Sequence, residues 1–340
     1  MKKIIYYALL MIIIVVILPL LIVRGCSTSE ENKLPEQKQE GIKIKVYISS
    51  EKKVSELMLE DYIKGVVAAE MPAEFEPEAL MAQAVAARTY ALARIMKLYL
   101  PKEDLHNGAD ICTDPGHCQA WISKSNAMKK WNIFYTYRNW GKVERAVAET
   151  QNIIAIYNNT PINPLYHSNS GGRTENSEDV WEGIKVEYLR SVPSSGEDAC
   201  PGFKTEILVK TRDFSDKLKK LYPDIKLNST SIIENVKIQG YTEGGRVETI
   251  KVGNISMKGT EFRQLFSLRS ANFKVEKEND STLKITTVGY GHGVGMSQWG
   301  ANYLAKKGAS FEEILKYYYS GVELSTINGY DLPVSSVQIY

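Results

Sequence analysis

One acidic residue, Glu70, lies in a setting that suits acid–base chemistry. It ends an apolar helical pattern that includes Val66 and Val67, and Met71-Pro72 follows at once. Desolvation by these neighbours and the partial negative charge of a helix C-terminus favour the neutral carboxylic acid. A carboxyl group that stays protonated near neutral pH can act as the general acid on a glycosidic bond, as a glutamic acid of lysozyme does. The alternative is a solvated acid at the end of a helix.

A second candidate is the sequence Gly-His-Gly-Val-Gly-Met-Ser-Gln at residues 291–298, between a predicted strand and a predicted helix. Its glycines permit positive φ angles and close backbone approach, and the N-terminus of the helix offers free N–H groups to a ligand oxygen. The spacing matches neither the dinucleotide fingerprint nor a phosphate-binding loop. His292 and Ser297 could belong to a nucleophilic site, but no orienting acid is identifiable. A glycine turn without a ligand is the structural alternative.

A third segment, Tyr166–Gly172, follows a predicted strand and carries small polar side chains. Such groups can form hydrogen bonds to sugar hydroxyl and acetamido groups at the rim of a groove. Trp181 and Tyr188 lie just downstream and could supply apolar platforms. An ordinary polar loop beside a buried tryptophan explains the same pattern.

Two of the four histidines and two of the four cysteines fall within 13 residues, at His106, Cys112, His117 and Cys118. Two thiolates and two imidazoles can complete a tetrahedral zinc site. The adjacent His117 and Cys118 depart from the usual zinc-finger spacing. A Cys112–Cys118 disulfide, which is compatible with a location outside the cytoplasm, and free thiols are the alternatives. Cys200 remains unassigned.

The body that positions these residues is predicted to follow a membrane anchor. Residues 4–23 form an uncharged apolar run of 20 residues, the length that crosses about 30 Å of hydrocarbon. Lys2 and Lys3 predict a cytoplasmic N-terminus and export of the remainder. A lipoprotein cleavage site at Cys26 is the alternative. We therefore expect an anchor with its cytoplasmic stub at 1–24, a polar linker at 25–40 and a single body at 41–340.

Hydrophobic periodicity predicts an α+β body, with a mixed, largely antiparallel sheet and helices that form a substrate groove. Pro77 occupies a favoured first-turn position of an alanine-rich helix, and Asn158-Asn159 marks a hairpin turn. Residues 101–140 are predicted to be an irregular insertion. Strands are predicted near 42–48, 153–157, 162–166, 206–209, 231–239, 247–252, 272–277 and 282–289, and helices near 60–69, 77–98, 143–150, 214–221, 259–267, 296–306 and 311–319.

The charge balance of the body argues against nucleic acid as a partner. The chain has 340 residues, of which 44% are hydrophobic, with 42 Lys and Arg against 40 Asp and Glu. Without Lys2, Lys3 and Arg24, which flank the predicted anchor, 39 cations face 40 acids. Binding to nucleic acid requires a concentrated basic surface. We expect partners to be recognised by shape, hydrogen bonds and apolar contact.

Taken together, these segments resemble the stage II sporulation protein D family, SpoIID. The resemblance rests on Glu70-Met71-Pro72, on Glu-Ala-Leu-Met-Ala-Gln-Ala-Val-Ala-Ala-Arg-Thr-Tyr at 78–90, on Ser168–Gly172 and on residues 289–298. It spans the body from about Ile42 to Val322, and the blocks occur in family order. The family includes membrane-anchored lytic transglycosylases that act on peptidoglycan during engulfment of the forespore.

The resemblance implies that Glu70 is the catalytic acid in cleavage of the β-1,4 bond between N-acetylmuramic acid and N-acetylglucosamine. One carboxylic acid suffices, because the C6 hydroxyl of the substrate closes a 1,6-anhydro ring and no cofactor is needed for the glycosidic chemistry. The cluster at 106–118 is expected to hold a structural zinc ion. The residues expected at the substrate groove are Ser168, Ser170, Gly171, Tyr188, His292, Ser297 and Gln298.

The resemblance further implies glycan strands as the substrate and the proteins SpoIIP and SpoIIM as partners, at the mother-cell membrane facing the forespore. Two other functions remain open. The family name is also applied to enhancers that stimulate cell-wall amidases without catalysis. A zinc amidase would instead use the cluster at 106–118, although four protein ligands leave no open coordination position on the metal.

Overall fold

Two helices form the centre of the larger of two hydrophobic clusters in this computed structural model, which describes Met11 and residues 41–99, 106–228 and 231–329. The first helix ends where Pro72 forces Met71 into an extended conformation, as predicted. The second begins at Pro77 and is buried along nearly its whole length, because its many alanines allow neighbouring helices to approach closely. The helices are α1 (Leu59–Glu70), α2 (Pro77–Ile95), α3 (Lys124–Lys130), α4 (Thr136–Glu149), α5 (Ser177–Val180), α6 (Thr211–Leu221), α7 (Gly259–Leu265), α8 (Gln298–Lys306) and α9 (Phe311–Tyr318).

The predicted α+β class with largely antiparallel pairing is confirmed, but the strands of the described residues form five small sheets. Their orders are β2-β1-β3, β14-β4-β5, β13-β6, β11-β12-β7 and β10-β9-β8, and only the β1–β3 and β6–β13 pairs are parallel. The strands are β1 (Lys43–Ile48), β2 (Lys53–Met58), β3 (Ile111–Cys112), β4 (Ile153–Tyr157), β5 (Thr160–Pro161), β6 (Tyr166–His167), β7 (Lys204–Lys210), β8 (Val236–Tyr241), β9 (Val247–Val252), β10 (Ile255–Lys258), β11 (Phe273–Asn279), β12 (Thr282–Val288), β13 (Met296–Ser297) and β14 (Glu323–Thr326).

A second hydrophobic cluster lies within residues 214–285. Phe214, Phe262 and Phe273 pack at its centre, and α6 and α7 cover the sheets formed by β7 to β12. The chain enters this cluster after the Ser168–Gly172 motif and leaves it just before the glycine-rich motif at 291–298. The two sequence motifs therefore flank it at its entrance and its exit.

Residues 101–140 were predicted to be an irregular insertion; in the described part, 106–123 is irregular apart from β3, whereas 124–130 and 136–140 are helical, and several of its side chains belong to the core. β3 pairs with β1, and Ile111, Ala127 and Trp140 are buried in the larger cluster. The short apolar pair Ile111-Cys112 and the amphipathic turns after Ser123 were too brief to show a clear period. This segment is therefore part of the body, and it places the His and Cys residues beside α1 and α2.

Among the residues that the structure describes, no helix is both long and apolar enough to cross a bilayer. The anchor predicted at residues 4–23 falls outside the described residues, apart from Met11. The predicted linker at 25–40 also lies outside them.

Candidate active site

Glu70, the last residue of α1, lines a cleft of about 480 Å³. Helix α1 forms because Tyr62, Ile63, Val66 and Val67 share one buried face. At its C-terminus the Met71 amide still donates to the Val67 carbonyl before the chain turns away. This arrangement holds the Glu70 side chain at the edge of the core, where it faces the cleft.

Glu70 is the only carboxylic acid that lines this cleft among the described residues. Its Oε1 accepts a hydrogen bond of 2.6 Å from the Ala120 amide. Burial raises the pKa of Glu70, and hydrogen bonds from Ala120, Gln298 and Tyr166 partly oppose that rise. The net effect favours a protonated side chain at a higher pH than for an exposed glutamate, as the sequence predicted.

The Ala120 amide reaches Glu70 because residues 120–122 lie against α1. The Ile122 amide donates to the Gly65 carbonyl across 3.2 Å. A Cβ atom at Gly65 would collide with the Trp121 indole and the Ile122 carbonyl. The absence of a side chain at Gly65 therefore permits the close approach that places Ala120 next to the acid.

Tyr166 and Gln119 extend the polar network around the acid. The Tyr166 hydroxyl lies within hydrogen-bond reach of both Glu70 and Gln119 Oε1, the latter at 2.9 Å, and can donate its one proton to either; Tyr166 and Gln119 both line the cleft. The Gln119 amide in turn lies 3.5 Å from the Tyr62 hydroxyl and the Ala87 carbonyl. Helices α1 and α2 thus hold the Gln119 side chain through Tyr62 and Ala87.

The four predicted metal ligands lie together beside the cleft. One donor atom from each of His106, Cys112, His117 and Cys118 lies within 4.8 Å of the other three. His106 Nε2 is 3.1 Å from His117 Nδ1 and 3.2 Å from Cys118 Sγ, and His117 Nδ1 is 3.5 Å from both sulfur atoms. A tetrahedral zinc ion requires its ligands to be roughly 3.3–3.8 Å apart, given Zn–S near 2.3 Å and Zn–N near 2.0–2.1 Å. The donor set suits zinc, and the four distances of 3.1–3.5 Å lie within a few tenths of an ångström of this spacing.

Both cysteines of this cluster are free thiols in the structure, so the Cys112–Cys118 disulfide is not formed there. Cys200 is also free and buried; the Asn169 amide donates to its sulfur across 3.2 Å. Cys118 lines the cleft, and Gln119 and Ala120 follow it directly. The cluster is therefore joined through two peptide units to the groups that hold Glu70.

His167 and His292 also line the cleft, with ring centroids 5.5 Å apart. His292 Nδ1 accepts a hydrogen bond from the Val294 amide, and the ring also binds the Tyr166 backbone. Burial and the Arg246 guanidinium lower the pKa of His292 to about 3. His292 is therefore neutral and held by the backbone on both sides.

His167, which the sequence analysis did not single out, has a free acceptor. Its Nδ1 donates to the Val294 carbonyl across 3.2 Å, so Nε2 carries the lone pair, and this buried atom has no partner. Burial, with His292 and Arg246 nearby, lowers the pKa of His167. The neutral ring lines the cleft, and its unpaired Nε2 acceptor can bind an N–H or O–H group of a ligand once a neighbouring side chain moves aside, because the atom itself is buried.

The structure divides the predicted groove residues into two groups. Ser168, His292 and Gln298 line the cleft together with Glu70. Ser170, Gly171 and Ser297 instead bind the buried carboxylate of Glu197. Tyr188 does not line the cleft; its hydroxyl accepts a hydrogen bond from the Asn163 amide.

Glu197 joins the sequence motifs from inside the protein. Its carboxylate accepts hydrogen bonds from the Ser194 and Ser297 hydroxyls, and from the Ser170 hydroxyl and amide. The Gly171 and Gly172 amides complete its donors. No local pattern in the sequence marks this residue, because its partners lie up to 100 positions away.

Arg246 makes a second buried link between the motifs. Its guanidinium donates to the Ser170 carbonyl across 2.9 Å and to the Gly291 carbonyl across 3.1 Å, and its Nε lies 3.5 Å from Glu175. Gly293, at φ +90°, leaves room for the guanidinium, which a Cβ atom would strike. The hairpin of β8 and β9 thereby fixes the loop that carries His292.

These features define a class of protein: an α+β body with one carboxylic acid in a polar cleft, next to a cluster of two cysteines and two histidines. Residues 47–157 match the SpoIID family, described as "Stage II sporulation protein". The chain is 39% identical to Stage II sporulation protein D of Bacillus subtilis (strain 168), over 85% of this chain and 80% of that protein. It is 37% identical to the protein of the same name from Bacillus amyloliquefaciens, over 87% and 82%. The chain belongs to the stage II sporulation protein D family.

A more distant relative carries a different name. The chain is 29% identical to the "Amidase enhancer" of Bacillus subtilis (strain 168), over 78% of this chain but 40% of that protein. The likeness therefore covers most of this chain and less than half of the enhancer.

Proposed function

We propose that this chain is a lytic transglycosylase that cleaves the β-1,4 bond between N-acetylmuramic acid and N-acetylglucosamine in peptidoglycan during sporulation. The observation that supports this proposal most is the presence of one carboxylic acid, Glu70, in the cleft among the described residues. Ordinary glycosidases need two carboxylates, one of them to activate water or attack the sugar. A reaction that uses a hydroxyl of its own substrate as the acceptor needs only one.

In the proposed reaction Glu70 first donates its proton to the glycosidic oxygen as the C1–O bond breaks. The electron pair of that bond leaves with the N-acetylglucosamine oxygen, and the acetamido oxygen of the substrate stabilises the positive charge at C1. Glu70, now a carboxylate, accepts the proton of the C6 hydroxyl, whose oxygen bonds to C1 and closes the 1,6-anhydro ring. The raised pKa of Glu70 suits the first step, and hydrogen bonds from Ala120 and Tyr166 suit the second.

The polar groups across the cleft would orient the sugar. His167 Nε2 is an acceptor for an acetamido N–H or a hydroxyl group, while Ser168 and Gln298 offer hydrogen-bond groups from the two motif loops. Ser170, Gly171 and Ser297 act indirectly in this proposal, because they bind Glu197 and so shape the loops. Tyr188 packs against the Tyr157 ring, with centroids 5.5 Å apart.

We further propose that His106, Cys112, His117 and Cys118 hold one structural zinc ion. When bound, zinc would cross-link the residues that lead into Gln119 and Ala120, and so fix the groups that contact Glu70. The segment from 106 to 122 has few regular hydrogen bonds of its own, and a metal cross-link would offset part of its ordering entropy.

Location and partners follow from the family resemblance and are part of the proposal. The body would lie outside the cytoplasm, at the mother-cell membrane, anchored through residues 4–23. Glycan strands would be the substrate, with SpoIIP and SpoIIM as protein partners.

A non-catalytic enhancer of cell-wall amidases is the second candidate, and the likeness to the Bacillus subtilis amidase enhancer favours it. The two functions differ in what Glu70 must do, because an enhancer needs no proton donor. A zinc amidase is the weaker candidate, because a zinc ion held by all four protein donors would have no coordination position left for substrate.

Digestion of glycan strands stripped of their peptides tests the proposal. The full chain should release fragments that end in 1,6-anhydro-N-acetylmuramic acid, identified by mass. Intact strands, together with stimulation of an added amidase, would instead establish the enhancer function. Release of free peptides from undigested peptidoglycan would establish an amidase.

A further inference from the structure

An exposed apolar segment, residues 131–138, consists of the loop between α3 and α4 and the first turn of α4. Ile133 is 79% exposed, Phe134 86% and Tyr137 81%, and Tyr135 is also exposed. Other large apolar side chains that are exposed in the described residues are scattered over separate elements, such as Leu208 on β7. Four exposed apolar side chains therefore fall within five positions, a local concentration that marks this segment, called the patch below, as a candidate interaction surface.

The segment is held in this exposed position by ordered contacts at its base. The Thr136 hydroxyl donates to the Asn132 carbonyl across 3.1 Å, and Thr136 itself is buried. Asn139 donates to Glu74 across 3.0 Å, and the Trp131 and Trp140 rings lie 6.5 Å apart. The exposed side chains therefore project from a fixed base, and their exposure does not result from a frayed end.

Along the sequence the charge of this region is one-sided, although Glu74 and Glu144 approach it from outside, through Asn139 and Lys124. Residues 124–143 contain five cations and no acid. Setting those five aside, the body has 34 cations against 40 acids. Lys124 pairs with Glu144 across 3.2 Å, but Lys129, Lys130 and Arg138 are exposed and have no carboxylate partner among the described residues.

The geometry points to the surface of an anionic lipid bilayer as the partner of this segment. Aliphatic and aromatic side chains at the tip match the boundary between headgroups and acyl chains, and tyrosine and tryptophan are enriched there. The exposed cations at Lys129, Lys130 and Arg138 complement anionic headgroups. The lactyl carboxylates of a peptide-free glycan strand could also pair with these cations, but such a strand has no acyl region to receive the exposed Ile133 and Phe134 side chains, which favours the lipid.

Hydrogen–deuterium exchange on the full chain reconstituted into lipid nanodiscs tests this inference. Amide exchange of residues 131–138 should be at least about fivefold slower in discs that contain phosphatidylglycerol than in discs of phosphatidylcholine alone. Ile133→Ser/Phe134→Ser and Lys129→Gln/Lys130→Gln should each abolish the difference. Leu208→Ser, which removes an exposed apolar side chain from another surface, should preserve it.

Two controls keep the result unambiguous. Every variant should retain the thermal unfolding temperature of the parent and its activity on glycan, because no substituted residue lines the cleft. Equal exchange in the two kinds of disc would overturn the inference. So would protection that appears only when peptide-free glycan strands are added, since the segment would then extend the glycan-binding surface.

Discussion

The Ala120 amide donates a hydrogen bond to Glu70 Oε1 across 2.6 Å, only two residues after Cys118. The four-residue His and Cys cluster and the acid are therefore parts of one local structure, although 50 positions separate Glu70 from Ala120 in the sequence. Anything that loosens the cluster should move Ala120 away from the acid. Metal binding and glycan cleavage are expected to change together for this reason.

Loss of the cluster should remove metal and lower activity. We expect the parent, purified without chelator, to contain one zinc ion per chain, and Cys112→Ser/Cys118→Ser to contain none. The variant should cleave glycan more slowly because Ala120 no longer holds Glu70. Cys200→Ser is the matched control, because Cys200 contacts Asn169 and lies outside the cluster, and it should keep its metal. A parent without zinc that contains a Cys112–Cys118 disulfide by mass would refute the metal site.

The hydroxyl of Tyr166 should shift the alkaline limit of activity, which the pKa of Glu70 sets. Glu70 must be protonated to donate, so activity is present below its pKa and is lost as the pH rises through it. The hydrogen bond from Tyr166 lowers the pKa of Glu70, so Tyr166→Phe should raise that pKa and move the alkaline limb of the kcat profile to higher pH. The profile is measured on peptide-free glycan. An alkaline limb at the same pH as in the parent, or at a lower pH, would show that Tyr166 does not lower the pKa of Glu70.

His167 should contribute to substrate binding through Nε2. His167→Asn keeps a donor near the position of Nδ1, for the Val294 carbonyl, but removes the unpaired Nε2 acceptor. It should raise KM by roughly 5- to 100-fold, the cost of an unpaired polar group. His167→Gln can present an oxygen near the position of Nε2 and should recover part of the loss. Equal KM values for both variants and the parent would assign His167 to the fold alone.

Substitution of Glu197 should destabilise the protein without touching the cleft. In Glu197→Gln an amide group would face N–H and O–H donors that now bind carboxylate oxygens, including those of Ser170 and Gly172. We expect the free energy of unfolding in urea to fall by about 2–4 kcal/mol. Glu206→Gln, on the partly exposed strand β7, should change it by less than about 0.5 kcal/mol. A similar stability for both variants would contradict the anchoring role.

The elements near Glu70 were predictable because strong local signals define them. The apolar face of α1, the stop at Pro72 and the first-turn Pro77 each act within a few residues, and the structure reproduces all three. The antiparallel hairpin at Asn158-Asn159 likewise follows from its turn residues, both of which have positive φ angles, although its second strand is Thr160–Pro161 and not the predicted 162–166.

Which side chains of the motif loops face the cleft, and which bind buried groups, was not predictable. Ser168 and Ser170 are similar in type and lie two positions apart, yet Ser168 faces the cleft and Ser170 faces Glu197. The choice depends on a buried carboxylate and on Arg246, both of which reach the loops from distant parts of the chain. Single-sequence periodicity carries no information about such partners.

Replacement of Glu70 by glutamine tests the central claim most directly. Glu70→Gln keeps the size of the side chain and removes its transferable proton, so cleavage of peptide-free glycan should fall at least about 10²- to 10⁴-fold while glycan binding persists. Glu76→Gln, at a partly exposed acid that does not line the cleft, should cleave like the parent and yield 1,6-anhydro ends by mass. Near-parental cleavage by Glu70→Gln, or parental products that carry hydrated reducing ends, would contradict a one-acid lytic transglycosylase.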